Sequence, residues 1–273
     1  MKLTYRKPVT HKHPFHIVDP SPLPFLTSLS VLVVALGLIS FMHFSVFWVL
    51  VLGLILLITC IAMWMVDVIR EATYGGFHTT YVTANLRLGF KLFIVSEAML
   101  FFSFFWAFFH FSLSPSVMIG MQWPPQGIIP IDPLQLPYFN TILLLYSSFL
   151  VNNGHKAIVS HSWQDSQVGF LLAIICGIFF LFVQGYEYSV ASFSINDSVY
   201  GSIFYILTGC HGLHVFVGAI FLIVAFVRNQ LKHFTTEHHV GVEIAALYWH
   251  FVDVVWILVY FIVYFWGGGF VLI

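Results

Sequence analysis

The stretch FIVSEAMLFFSFFWAFFHF, residues 93–111, decides how the chain is read. It is apolar over a length that crosses a bilayer, since a spanning helix needs about 20 such residues. One carboxylate, Glu97, interrupts it. A charge at the centre of a bilayer costs roughly 3 kcal/mol on insertion scales, so Glu97 requires a partner. The rest of the chain is built the same way. Of its 273 residues 60% are hydrophobic and 8% charged, against roughly 25% charged in a soluble domain. Such a surface belongs in lipid, and residues 1–273 read as a single integral membrane domain. The net charge of −1 gives no electrostatic footprint for nucleic acid. Cys60, Cys176 and Cys210 each stand alone in an apolar run, without disulfide or metal spacing.

Seven apolar runs are long enough to span: 25–42, 46–66, 88–113, 138–158, 167–189, 199–227 and 241–266. The first is the weakest, and only a tight turn separates it from the second. The cations test the count independently. Lys2, Arg6, Lys7, Lys12, Arg70, Arg87, Lys91, Lys156, Arg228 and Lys232 all fall on one side once seven spans are threaded. The positive-inside rule then predicts the N-terminus inside and the C-terminus outside. The expected plan is all-α, with an inner tail (1–24), helices 1–2 (25–69), an inner connection (70–87) and helices 3–7 (88–273). The connection would divide a two-helix hairpin from a five-helix bundle. Trp249 and Trp256, seven apart, share one face of the last span and should pack against other helices. The remaining tryptophans fall near span ends, as an aromatic belt would.

The candidate chemistry is polar side chains in apolar helices. His211 and His214 are three apart and share a helical face. Glu243, His250 and Asp253 recur on one side of the last span. Glu97, His211, His214, His250 and Asp253 come to similar depth, so a buried polar layer is expected, with Asp253 touching at least one histidine. Its bland reading is structural glue between helices. Its sharper reading is a proton route, although no titratable chain runs from side to side. His238–His239 reads as solvated or at the head groups. Asp67 and Arg70 read as an ion pair at the inner end of span 2, or as a head-group anchor with Trp64 and His78.

Several stretches together carry a family signature: HIVDPSPLP (16–24), DVIREATYGGFHT (67–79), WPPQGI (123–128), NDSVYGSIFYILTGCHGLHVFVG (196–218) and HHVGVEIAALYWHFVDVVW (238–256). With 93–115 they resemble subunit III of cytochrome c oxidase, in the haem-copper oxidase subunit 3 family, over nearly the full length. The resemblance implies seven transmembrane helices in two bundles separated by a lipid-filled V-shaped cleft. It implies an auxiliary subunit that packs on subunit I and meets subunit II and small accessory subunits. Such a subunit supports proton uptake and the stability of the complex that moves electrons from cytochrome c to oxygen. Haem and copper lie in the partner subunits; this chain is expected to hold no catalytic residue, no metal, and only phospholipids, with cardiolipin, phosphatidylglycerol or phosphatidylethanolamine as candidates. Carried over position by position, the lipid contacts are Trp64, Arg70, His78, Glu97, His214 and Arg228. Glu97 is then expected protonated or hydrogen-bonded. The chain departs from the pattern at Met65–Val66, where an aromatic and an arginine are usual, and at Asn152–His155 on span 4. The mitochondrial inner membrane is the expected location, over a bacterial plasma membrane. The alternative is an independent seven-helix transporter or proton channel.

Overall fold

A computed structural model describes residues 13–269. Lys2, Arg6, Lys7 and Lys12, counted above in the charge sorting, lie outside the described residues. The described chain is helical, with seven long helices and no strand. Cα packing divides the described residues into two compact units, one up to residue 86 and the other from residue 87.

The first unit is a helical hairpin. Helix α1 (Leu23–Phe44) opens on the SPLP prolines, with Pro24 in its first turn, where the missing N–H is no loss. It ends at Ser45, in the left-handed region at φ 57°. Two more residues lead into α2 (Trp48–Arg70), so the tight turn is as expected. Gly37 and Gly53 set the crossing. A Cβ on Gly37 would meet Leu50 Cα at 2.5 Å, and one on Gly53 would meet Val34 N at 2.8 Å. The two backbones therefore touch, as small residues permit between membrane helices. Most remaining side chains, Leu36, Ile58 and Met63 among them, are exposed. Beyond Arg70 the helix widens into one π-type turn, Glu71–Gly75, and α3 (Thr80–Leu113) follows. The connection expected over 70–87 is thus mostly helical, and only residues 76–79 link the two helices. Gly76, at φ 68°, reverses the chain there. The polar run carries no apolar period, which is why it reads as a loop.

The second unit holds most of α3 with α4 (Leu136–Val159), α5 (Trp163–Val190), α6 (Ser198–Gln230) and α7 (Val240–Val259). A π-type stretch, Tyr260–Trp266, extends α7. Consecutive helices α4 to α7 pack in order, and α7 returns to α4. Trp249 and Trp256 are fully buried, as their spacing predicts. A Cβ on Gly177 of α5 or Gly218 of α6 would fall 2.5 or 2.9 Å from the Trp249 ring. Absent side chains at both positions make the slot that the indole fills. Its Nε1–H donates to Ser147 Oγ at 2.9 Å, and that of Trp256 donates to Thr141 Oγ1 at 3.0 Å. Two indoles therefore rivet α7 to α4.

Six of the seven helices are long and apolar enough to cross a membrane: α1, α2, α3, α5, α6 and α7. The exception is α4, not the first span. At 24 residues it is about 36 Å long, ample for the hydrocarbon core. Its composition lowers it, through Asn140, Ser147, Ser148, Asn152, Asn153, His155 and Lys156. Asn140 and Ser147 are fully buried, so bundle partners rather than lipid meet part of that polarity.

Candidate functional site

The Glu97 carboxylate of α3 meets His214 of α6, Oε2 to Nε2, at 2.8 Å. The other ring nitrogen, Nδ1, lies 2.7 Å from the Cys210 carbonyl oxygen one turn back. A carbonyl only accepts, so Nδ1 carries a proton. One further proton then lies between Nε2 and Oε2, and the pair is neutral overall whichever atom holds it. Phe101 covers the imidazole edge-on, with ring centroids 4.9 Å apart. This answers the question set by residues 93–111: the costly carboxylate is matched by an imidazole on a neighbouring helix.

The other members of the expected polar layer are buried or half-buried, but they form separate sets. His211 points Nε2 at the Val252 carbonyl of α7, 3.2 Å away, so Nε2 donates. Its Nδ1 has no hydrogen-bond partner among the described residues. His250 places Nδ1 2.5 Å from Ser148 Oγ of α4. Asp253 is buried, and it makes no hydrogen bond or ion pair with a histidine. The Ser148 hydroxyl is the polar group beside it. The expected contact between Asp253 and a histidine is thus not made as a hydrogen bond or ion pair among the described residues, although Asp253 is buried and not turned to lipid. No hydrogen bond joins these three sets among the described residues. The three imidazoles turn their nitrogens to a carboxylate, a backbone carbonyl and a hydroxyl on different helices, so they do not converge as metal ligands.

Two polar clusters escaped the sequence reading. At one end of the unit, Arg87 donates twice to Glu243, Nε at 2.6 Å and Nη2 at 3.0 Å, tying α3 to α7. His239 Nε2 approaches Glu243 Oε1 at 3.4 Å, and the His155 ring lies 5.2 Å from that of His239. His239 is buried, with Nδ1 3.1 Å from the Thr235 carbonyl. Only His238 of that pair is exposed, as expected of both. Near the opposite helix ends, Glu187 is fully buried. It accepts from Tyr264 Oη at 2.6 Å and Gln184 Nε2 at 3.0 Å. Asn140 Nδ2 donates to Gln184 Oε1 at 3.4 Å. The visible signal was Gln184 and Glu187, three apart at the end of an apolar run.

The expected lipid contacts divide between the units. Trp64, Arg70 and His78 lie in the first. Arg70 is exposed and holds only a loose 3.4 Å contact to Asp67, so the expected ion pair is present but weak. Glu97, His214 and Arg228 lie in the second. Arg228 stands about 21 Å further along α6 than His214, so it belongs to a different level. Its guanidinium lies over the Phe234 ring, 4.5 Å from the centroid.

These features define a class: an all-helical integral membrane protein in which Glu97–His214 and Arg87–Glu243 pair ionisable groups between helices. The family described as Cytochrome c oxidase subunit III matches residues 13–268. The chain is 48% identical to cytochrome c oxidase subunit 3 of Marchantia polymorpha, over 96% of this chain and 99% of that one. It is 46% identical to that of Pisaster ochraceus, over 95% of this chain and all of the other. It is 45% identical to that of Drosophila melanogaster, over 95% and 99%. The chain belongs to the cytochrome c oxidase subunit III family.

Proposed function

We propose that the chain works as subunit III of a cytochrome c oxidase, the respiratory complex that passes electrons from cytochrome c to oxygen and pumps protons. The near-complete match to that family carries the reading. Its part is auxiliary. The buried histidines engage carbonyl, carboxylate and hydroxyl groups, a donor arrangement that suits helix cohesion and not redox-metal ligation. Subunit I is the main partner, with subunit II and small accessory subunits around it. Support comes from the apolar surface of the first unit, which α1 and α2 leave to lipid or protein neighbours.

All seven helices cross the membrane in this reading, α4 included, and the N-terminus lies inside with the C-terminus outside. The clustering of Arg87, Lys156 and Arg228 near the helix ends that the positive-inside rule assigns to one compartment supports this orientation. Phospholipids bind the chain as structural lipids. The exposed Arg70, with Trp64 earlier on the same helix, suits a phosphate head group. The inner mitochondrial membrane is the proposed location.

Affinity purification from native membranes through a tag on this chain tests the reading. Haem-bearing partners and oxidation of reduced cytochrome c should accompany it. Isolation as a haem-free protein that moves protons or solutes by itself would replace the oxidase reading with the transporter.

A further inference from the structure

Three ligating side chains converge in the first unit from three separate stretches. His16 lies on the chain before α1, Glu71 begins the π-type turn after α2, and His78 lies in the link that follows. One donor atom from each lies within 4.8 Å of the other two. The His16 and His78 rings meet edge to face, 5.5 Å between centroids. A backbone tie holds the arrangement, since the Thr79 hydroxyl donates to the Pro14 carbonyl at 2.8 Å.

We propose that His16, Glu71 and His78 form a binding site for a divalent zinc ion. His16 Nε2 and Glu71 Oε2 are 3.5 Å apart. That is long for a charge-assisted hydrogen bond, which runs about 2.7–2.9 Å. It matches the edge of a zinc tetrahedron, about 3.3–3.5 Å for metal–ligand bonds of roughly 2.0–2.2 Å. Two imidazoles and one carboxylate are donors zinc takes readily, whereas magnesium and calcium favour oxygen throughout. The cluster is partly exposed, which leaves water access to a fourth position. Because the three ligands come from distant stretches, bound metal would fasten the segment before α1 to the α2–α3 junction, and its binding energy would add to the order of that segment.

Zinc alone is the probe. The tagged protein, with whatever subunits co-purify, is stripped with a chelator and dialysed against micromolar zinc. Bound metal is then counted for the wild type and for His16→Ala, a change at a side chain 38% exposed. One zinc per chain should distinguish the two, and X-ray absorption of that zinc should report two nitrogen ligands and oxygen. The affinity of His16→Ala should fall by more than about a hundredfold, since losing even an outer partner of a ligand costs up to that. Glu71→Gln should behave in the same way. Equal zinc uptake by wild type and both variants, or no uptake by the wild type, would overturn the site.

Discussion

Glu97 and His214 share a single proton across the α3–α6 contact, because the other imidazole nitrogen is committed to the Cys210 carbonyl. The carboxylate on a membrane helix thereby acts as half of a neutral pair. Glu97→Gln should be tolerated, since its amide N–H can donate to the free lone pair of Nε2. Glu97→Leu removes the partner and leaves Nε2 unpaired, at a cost of about 1–3 kcal/mol. Thermal denaturation of the purified protein should order them wild type, Gln, Leu. A leucine variant as stable as the wild type would contradict the pairing.

Trp249 should be the least replaceable side chain of the second unit. Its ring fills the slot left by Gly177 and Gly218, so Trp249→Ala leaves a cavity worth about 3–5 kcal/mol. Gly177→Val forces a side chain into the indole and should lower expression comparably. Ser147→Ala, which only strands the indole N–H, should cost about 1 kcal/mol. The ratio of these losses in denaturation midpoints is the check.

Arg87 and Glu243 should discriminate fork from point charge. Arg87→Lys keeps the charge and loses the bidentate geometry. The pair is partly exposed, so screening limits its worth to about 1 kcal/mol. A double-mutant cycle with Arg87→Ala and Glu243→Gln should return a coupling of that size. A coupling of zero would make the contact incidental.

If Arg70 anchors a phosphate head group, Arg70→Ala should reduce co-purified phospholipid by about one molecule per chain, and Arg70→Lys should retain it, since a point charge suffices for a phosphate. Lipid mass spectrometry reads the difference. Unchanged lipid in Arg70→Ala would remove this residue from the lipid contacts.

Helix positions were legible because an apolar run of bilayer length has few other readings. Each run expected from the sequence lies within or almost within one of the seven helices. What failed was polarity along a helix. Residues 71–75 and 80–87 looked like a loop because they lack an apolar face, and the weakest span is α4 rather than the first, through its amide and hydroxyl groups. Pairings were legible only as residue lists. Spacing places His211 and His214 on one face, but it cannot tell that one reaches the Val252 backbone and the other Glu97. No hydrogen bond joins Asp253 to a histidine among the described residues, and nothing local to α7 announces that His250 bonds Ser148 on α4. Arg87–Glu243 and His16–Glu71–His78 join residues far apart in the chain, so neither shows as a motif.

The most direct test of the account is the density of the purified, tagged complex by electron cryomicroscopy. Seven helices of this chain should lie against a haem-bearing subunit, with the two ends of the chain on opposite membrane faces and no haem within the α3–α7 bundle. A haem ligated by His211, His214 or His250, or a chain isolated without a haem-bearing neighbour, would contradict it.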